Sequence, residues 1–342
     1  MLVPGAFALS WMLTRVVRDY ALRSGQLDHP NARSSHVAPT PRGGGVAFVI
    51  TTLIATTVLA VSGVISRNEA IAVLGGGALV ATVGMIDDRR GLPARTRLGA
   101  HLCATLGLVL LLDLWQTPAL ASLAPVIRLG VLTCAVVGGA WLINLTNFMD
   151  GIDGIAAVET VTACVGIAIC TFLATARLDA MLLPLLVAAG AAGFLIWNWP
   201  PARIFMGDAG SGFLGFMFAA MTIGAVSRPV PALLWCTLIL LGVFVVDATV
   251  TLVHRAVRGE RLTEGHRTHG YQQLSRRFGS HRAVTSLVAL INVGWLLPCA
   301  LLVATGYLHG VLATAMAYVP LVACALWAGS GAPERPRIPG RA

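Results

Sequence analysis

The chain has 342 residues, of which 56% are hydrophobic and only 11% are charged, and its mean hydropathy is +0.79. Soluble domains carry about a quarter charged residues, so this composition excludes an ordinary soluble protein and indicates an integral membrane protein. The formal charge of +9 arises from 24 basic residues, all of them arginine, against 15 acidic ones. The arginines are spread over alternate loops and form no single basic block, which favours membrane topology over nucleic acid as the explanation.

Eleven apolar stretches follow one another along the chain, most of them near the length of about 20 residues that a membrane helix requires. They cover residues 3–22, 44–65, 70–86, 98–116, 126–146, 155–176, 180–198, 212–226, 231–253, 283–305 and 308–328. The first is interpreted as a retained span, because Arg15 and Arg18 follow its apolar run and no charge precedes it. We therefore predict an all-α integral membrane protein, a polytopic bundle of about 11 transmembrane helices. It forms a single domain over 1–342, with 329–342 as a short cytoplasmic tail.

The polar residues gather in the loops that this topology assigns to the cytoplasm. If odd-numbered spans run inward, only four arginines lie outside, in agreement with the enrichment of positive residues in cytoplasmic loops. A pump or channel is expected to distribute ionisable residues along a transmembrane path. Here they occupy inner loops, which favours a cytoplasmic active site joining a soluble substrate to a lipid. These loops cover residues 27–45, 87–97, 147–154, 200–211 and 258–282.

Acidic residues mark three of the inner loops. Asp87 and Asp88 stand side by side where the third stretch ends, and Asp208 lies between glycines in "FMGDAGSG". Asp150 and Asp153 would share one face if "DGIDG" opened the sixth helix. Oxygen ligands without a histidine or cysteine cluster suit Mg²⁺, which is usually shared with substrate phosphates. Stabilisation of a helix end is the alternative explanation for each acid taken alone.

Two histidines flank an arginine in the last inner loop, as His266, Arg267 and His269. Solvated loop residues and a zinc pair are the alternatives, but no third ligand pattern such as HExxH accompanies them. Phosphate binding by histidine and arginine is therefore favoured. Asp247 lies within the ninth apolar stretch, where a buried pair with a neighbouring helix and a direct role both stay open.

Five motifs in order resemble the polyprenyl-phosphate N-acetylhexosamine-1-phosphate transferases, or glycosyltransferase family 4. They are "DHPNARSSHVAPTPRGGG", "GMIDDRRGLPARTRLGAH", "NLTNFMDGIDGIA", "PARIFMGDAGSGFLG" and "HRTHGYQQL". The stretch "GVFVVDATVTLVHRAVRGERLTEGHRTHGYQ" is most similar to the branch that initiates O-antigen and related surface polysaccharides. The resemblance implies transfer of a sugar phosphate from a UDP-activated N-acetylhexosamine to undecaprenyl phosphate, with release of UMP. It also implies Mg²⁺, with Mn²⁺ as an alternative, and a multi-pass protein of the bacterial inner membrane whose active site is cytoplasmic.

The resemblance further implies a role for each matching residue. The set comprises catalytic Asp87 and Asp88; metal-binding Asp208 and Asp150; nucleotide-binding Asn147, Asp150, Gly151, Asp153 and Phe205; and phosphate-binding Arg42, Arg97, Arg203, His266, Arg267 and His269. Arg97 and Arg203 stand where many relatives carry lysine, a change that keeps the charge but alters phosphate geometry. His101 replaces a usual glutamine, and Thr268 interrupts a histidine-rich run.

Two other classes of protein share parts of this pattern. A transporter or flippase of anionic or lipid-linked substrates would place ionisable residues near the membrane midplane and use discontinuous helices. A CDP-alcohol phosphotransferase would carry its acids in one compact DG…AR…G…D…D run, which this sequence lacks. The identity of the sugar and the oligomeric state are left open, a homodimer included.

The acceptor of such a transferase is a phosphate monoester, whose second pKa is about 6, so it is largely dianionic near neutral pH. A strong general base is therefore unnecessary, and positioning with charge neutralisation should supply most of the rate enhancement. Direct in-line attack with UMP as leaving group is preferred over a covalent aspartyl-phosphate intermediate.

Overall fold

The computed structural model describes residues 1–28, 39–228, 230–262 and 266–333, and helices account for most of this part of the chain. Within these ranges the α-helices are α1 (Leu2–Ser24), α2 (Gly45–Val61), α3 (Arg67–Arg90), α4 (Ala94–Leu111), α5 (Pro118–Ala121), α6 (Pro125–Met149), α7 (Ile155–Thr175), α8 (Leu182–Asn198), α9 (Asp208–Ser227), α10 (Ala232–Leu240), α11 (Gly242–Val257), α12 (Gly270–Phe278), α13 (His281–Ile291), α14 (Leu297–Ala304) and α15 (Gly310–Ala328). A π-helical turn, Asn292–Leu296, joins α13 to α14.

Each predicted apolar stretch coincides with helical structure. In the described part of the chain, seven helical segments are long and apolar enough to cross a membrane, among them α3, α6, α7, α9 and α15. α10 and α11 pass the same test together, but they bend by 68° at the break between them, so that the pair is an eighth span if it crosses as one. α2 is apolar but has only 17 residues. The all-α, multi-pass architecture is confirmed, whereas the number of eleven spans stays a prediction.

α9 lies at the centre of the bundle and contributes much of its core. Phe213, Phe216 and Phe218 are fully buried, and the helix packs against α2, α3, α6 and α10. Gly84 lets α3 approach α9 closely, because a Cβ at this position would lie 2.5 Å from the backbone carbonyl oxygen of Asp208. Small residues allow membrane helices to pack backbone against backbone. The carboxyl end of α3 therefore lies directly against the amino end of α9.

The polar segments meet at one end of the bundle. α3 and α6 end there, whereas α9 and α12 begin there. At the opposite end, Glu69 in the first turn of α3 lies 3.9 Å from Arg228, the residue that follows α9. This arrangement agrees with the alternation of loops predicted from the sequence. That the polar end faces the cytoplasm stays a prediction.

A short antiparallel strand pair leads into α2. β1 (Leu27–Asp28) pairs with β2 (Thr40–Pro41), with Leu27 opposite Pro41. The pair fixes where the next residue, Arg42, enters the polar end of the bundle. Residues 29–38, which belong to the first predicted polar loop, lie outside the described part, as do 229, 263–265 and 334–342.

The expectation that "DGIDG" opens a helix is wrong. α6 continues to Met149 and Asp150 is its C-cap, whereas α7 begins only at Ile155. Gly154 precedes α7 with a φ of +76°, a left-handed conformation that interrupts the helical path and suits glycine. Asp150 and Asp153 therefore lie on a loop between two helices and share no helix face.

The predicted tail is partly an ordered element. Residues 329–333 pack against α11 and α12, as the hydrogen bond from the Gln273 side chain to the Ala332 carbonyl at 3.3 Å illustrates. Residues 334–342 lie outside the described part of the chain. Residues 329–333 are therefore part of the fold.

Candidate active site

The two neighbouring acids at the end of α3 have separate partners. The Asp87 carboxylate lies 2.7 Å from Nη1 of Arg97. The Asp88 carboxylate accepts the backbone N–H of Asp208 at 2.9 Å and that of Ala209 at 3.2 Å. These amides open α9 and have no acceptor within the helix, so Asp88 caps that helix and its charge is stabilised there. Consecutive residues on one helix thus hold two different elements.

Arg42 joins the end of α3 to the start of α9. Its Nη2 atom lies 2.8 Å from Asp88 and 3.0 Å from Asp208. Burial disfavours the charged guanidinium, yet the carboxylates of Asp88 and Asp208 outweigh burial and raise the pKa of Arg42. Arg97 reaches the same cluster from α4, 4.0 Å from Asp208. Three predicted acids and two predicted phosphate-binding arginines are therefore in direct contact.

The end of α6 brings Asn147 and Asp150 to this cluster. Asn147 donates a hydrogen bond to the Ser211 hydroxyl on α9 at 2.9 Å. Burial, followed by the nearby charge of Asp208, raises the pKa of Asp150 well above its usual value. Four carboxyl groups, that of Asp150 included, lie near two arginines, so a cation would offset the excess negative charge if all four were ionised.

The donor set fits a magnesium ion that is shared with a substrate. A small cavity of about 20 Å³, enough for one water-sized species, is bordered by Asp87, Arg97, Asn147 and Asp208, among others. Among the described residues, no three histidine, cysteine, aspartate or glutamate side chains form a ready-made metal site. Mg²⁺ commonly takes only one or two protein carboxylates, with waters and phosphates as its other ligands. Asp208, together with Asp87 or Asp150, could supply these one or two carboxylate ligands.

Asp153 is engaged with other parts of the fold. Its carboxylate accepts the backbone N–H of Ala202 at 3.0 Å and lies 3.3 Å from Nδ1 of His281. Its carbonyl accepts the Thr285 hydroxyl at 2.8 Å. These contacts tie the loop after α6 to α13 and to the segment before α9. The geometry thus explains Asp153 as a structural link, and its predicted contact with a nucleotide stays a prediction.

The histidine motif packs beside the same loop. The rings of His266 and His269 stack with centroids 4.8 Å apart, and Phe148 lies 6.4 and 6.3 Å from them. Burial lowers the pKa of His266 to about 3, assisted by the nearby charges of His269 and Arg255. Burial also lowers the pKa of His269, against the opposing charge of Asp247. Both imidazoles are therefore neutral near pH 7.

α12 contacts the loop after α6 through its first turn. The Tyr271 hydroxyl donates a hydrogen bond to the Phe148 carbonyl at 2.9 Å. A Cβ on Gly151 would lie 2.2 Å from the Tyr271 hydroxyl oxygen and 2.7 Å from the Gln272 side-chain nitrogen. Gly151 is therefore required by the close approach of α12, whether or not it also contacts a nucleotide.

The remaining predicted residues lie around this centre. Phe205 makes two backbone hydrogen bonds with the Arg42 segment, to Pro41 at 2.8 Å and from Gly44 at 2.9 Å. Arg203 is exposed, and its N–H donates to the Trp197 carbonyl at 2.8 Å. The Arg267 carbonyl accepts a hydrogen bond from Arg276. Their assignments to uracil and phosphate stay predictions.

Three contributors were not singled out by the sequence. Phe148 stacks beside the histidines, Tyr271 anchors α12, and Ser211 holds Asn147. All three lie within the quoted motifs, which is the available signal. The contacts that give them a role join residues 64 to 123 positions apart, and no local pattern encodes those contacts.

Comparison with known proteins agrees with this geometry. A sequence profile of glycosyl transferase family 4 matches residues 70–226. A probable undecaprenyl-phosphate N-acetylglucosaminyl 1-phosphate transferase of Bacillus subtilis is 28% identical over 288 residues, covering 82% of this chain and 78% of that protein. A decaprenyl-phosphate N-acetylglucosaminephosphotransferase of Mycolicibacterium smegmatis is 31% identical over 322 residues, covering 83% and 77%. A phospho-N-acetylmuramoyl-pentapeptide-transferase of Streptococcus sanguinis is 32% identical over 259 residues, covering 71% and 76%.

The matched profile includes the acids of α3, the loop after α6 and the start of α9, which the structure brings into one cluster. The relatives extend the likeness over most of the chain. The chain therefore belongs to glycosyl transferase family 4, the family of polyprenyl-phosphate N-acetylhexosamine-1-phosphate transferases.

Proposed function

We propose that the protein transfers N-acetylhexosamine-1-phosphate from a UDP-sugar to undecaprenyl phosphate at the cytoplasmic face of the inner membrane. The products are undecaprenyl-diphosphate-sugar and UMP, and the reaction initiates a bacterial surface polysaccharide such as O-antigen. The observation that carries the proposal is the cluster in which Arg42 joins Asp88 to Asp208 at one end of an apolar bundle. A charged site at the end of membrane helices suits a reaction between a soluble anion and a lipid phosphate.

The chemistry is a substitution at phosphorus. An oxygen of the lipid phosphate attacks the phosphorus that bears the sugar, and the bond from that phosphorus to UMP breaks as UMP leaves with the electron pair. The main obstacle is the approach of two anions, so neutralisation and alignment lower the barrier most. Arg42 and Arg97 supply fixed positive charge, and Asp88 holds the amino end of α9 and thereby Asp208 in place.

We assign the two substrates to different sides of the acid cluster. Asp87, paired with Arg97, is proposed to orient the lipid phosphate. Asn147, Asp150 and the His266–His269 segment are proposed to hold the donor, with Phe148 and Phe205 as aromatic neighbours of its base. Asp208 with Asp87 or Asp150 would hold Mg²⁺, which when bound would offset the negative charge of the donor pyrophosphate and of the UMP phosphate that leaves.

The test is turnover of purified protein in lipid nanodiscs with undecaprenyl phosphate, Mg²⁺ and a panel of UDP-sugars. The panel contains UDP-N-acetylglucosamine, 6-deoxy N-acetylhexosamine donors and UDP-N-acetylmuramoyl-pentapeptide, because the relatives' names include two of these sugar types. We expect UMP and a lipid-linked product with at least one donor, and loss of both in Arg42→Ala. An Arg23→Ala variant at the exposed end of α1 is the matched control. Absence of UMP with every donor, in a folded preparation, would overturn the proposal.

Discontinuous helices such as the bent pair α10 and α11 are also expected in a transporter. In this chain, however, the helix beyond the bend carries Asp247 to the amino end of α12. The carboxylates Asp87, Asp88, Asp150 and Asp208 gather at one end of the bundle. This distribution favours the transferase.

A further inference from the structure

Asp247 on α11 is an almost fully buried carboxylate with donors from two other parts of the chain and from its own helix. It accepts the backbone N–H groups of Gly270 at 2.8 Å and Tyr271 at 2.9 Å, which open α12. It also accepts the hydroxyls of Ser330 at 2.9 Å and Thr251 at 3.2 Å. Hydrogen bonds to an ionised acceptor are stronger than neutral ones, and two of these donors are helix-end amides.

Ser330 belongs to a C-terminal strap, which we define as residues 329–333. The Gly331 N–H donates to the Thr268 carbonyl at 2.7 Å, and His254 bonds the Ser330 carbonyl at 2.8 Å. A Cβ on Gly331 would lie 2.9 Å from the Thr251 carbonyl oxygen, so the strap fits closely against α11. The strap therefore lies against α11, Asp247's own helix, and holds the histidine segment, residues 266–272, through the Thr268 carbonyl.

The histidine segment in turn contacts the last turn of α6 and, at Gly151, the loop that follows it. Tyr271 bonds the Phe148 carbonyl at 2.9 Å, and the rings of His269 and Phe148 lie 6.3 Å apart. A chain of direct contacts thus runs from Asp247 through α12 to the residues proposed to bind the donor. Asp247 contacts none of the acids Asp87, Asp88 and Asp208 in the hydrogen bonds and ion pairs of the described residues.

We propose that Asp247, together with Ser330, is a positioning residue that fixes the histidine segment against residues 148–151, the end of α6 and the loop after it, and so sets the affinity for the sugar-nucleotide pyrophosphate. This inference rests on the proposed function. The sequence left open whether Asp247 pairs with a neighbouring helix or acts directly. On this inference it acts through the backbone of α12. Removal of the carboxylate takes the acceptor from two buried N–H groups and two hydroxyls, and the segment shifts relative to the loop.

Kinetics of graded variants test the proposal. Asp247→Ala is expected to raise the KM for the donor at least about tenfold and Ser330→Ala about threefold, with Asp247→Asn between them. The KM for undecaprenyl phosphate should stay unchanged. Ser66→Ala is the matched control, because Ser66 caps α3 at the opposite end by accepting the Glu69 N–H at 3.1 Å. Unchanged donor KM in Asp247→Ala and Ser330→Ala, with a loss only of active protein, would overturn the positioning role.

Hydrogen exchange separates this inference from the reaction itself. In Asp247→Asn and Ser330→Ala we expect faster amide exchange at 268–272 and at 148–151 than in wild type or Ser66→Ala, with no substrate present. Equal exchange rates would overturn the inference. If wild type turned over no UDP-sugar but the variants showed this local loss of protection, the proposed function would fail and the coupling of Asp247 to the loop would stand.

Discussion

The carboxylate of Asp88 accepts the backbone N–H of Asp208 at 2.9 Å, across 120 residues of sequence. One predicted catalytic acid therefore fixes the backbone of the predicted metal ligand. Gly84, one turn earlier on α3, makes the contact feasible by allowing the two helices to touch. The two neighbouring acids therefore have different contacts. Asp88 caps α9, whereas Asp87 contacts Arg97.

Asp88→Asn should lower kcat at least about 100-fold, because a neutral amide neither holds Arg42 nor stabilises the amino end of α9 as a charge does. The loss of charge-assisted bonds should also destabilise the protein by about 1–3 kcal/mol. Asp87→Asn should reduce kcat with a smaller change in Tm, since its carboxylate contacts the Arg97 side chain and the nearby Leu92 N–H but caps no other helix. UMP release and scanning fluorimetry measure both effects. Near-normal turnover of both variants with Mg²⁺ would contradict the assignment of these acids.

Gly151→Ala should displace α12 and reduce activity, because the added Cβ would lie 2.2 Å from the Tyr271 hydroxyl oxygen. Tyr271→Phe removes that oxygen, and the next tyrosine atom, Cζ, is 3.2 Å from the same position. The double variant Gly151→Ala with Tyr271→Phe should therefore recover part of the Tm and activity lost by Gly151→Ala alone. A double-mutant cycle measures this coupling. Strict additivity of the two losses would show that the contact does not determine the role of Gly151.

Stability should fall as the pH falls, through His266. Its pKa is about 3 in the folded protein, whereas an unfolded histidine titrates near pH 6.5. Between these values the unfolded chain binds a proton that the folded chain does not, so this contribution is complete above pH 6.5 and is lost on acidification. We expect a lower Tm at pH 5 than at pH 7, and a smaller difference in His266→Gln. The exposed His309, changed in the same way, is the control; an equal pH effect in all three proteins would contradict the argument.

Glu159 on α7 is completely buried in the bundle and accepts the Asn292 amide at 2.7 Å. Its other carboxyl oxygen and the Asn292 side-chain oxygen have no hydrogen-bond partner in the described structure. Glu159→Gln keeps the acceptor and replaces the second oxygen by a donor, so we expect a Tm equal to or above that of wild type. Glu159→Ala should lose about 1–3 kcal/mol, because the buried Asn292 amide then keeps only one of its two acceptors, the Thr162 hydroxyl at 2.8 Å. Thermal unfolding in nanodiscs measures both; a large loss in Glu159→Gln would show that the charge itself is needed.

The membrane-protein class, the positions of the long helices and the five polar segments followed from the sequence. Apolar length and motif composition are local properties, and lipid imposes helical structure on any segment that crosses it. Asp87, Asp88 and Asp208 were predicted as site residues because they lie within these polar motifs. Sequence reasoning failed at Asp150 and Asp153, where the left-handed Gly154 delays the next helix, and it did not notice Glu159 at all.

Residue type alone therefore determined which groups carry charge near the membrane and in what order they occur. Tertiary structure decided what those charges contact. Asp88 caps α9, Asp153 holds α13, and Asp247 holds α12. The physical reason is that each buried carboxylate needs donors, and its donors here lie at helix ends that are distant in sequence and become neighbours only when the bundle packs.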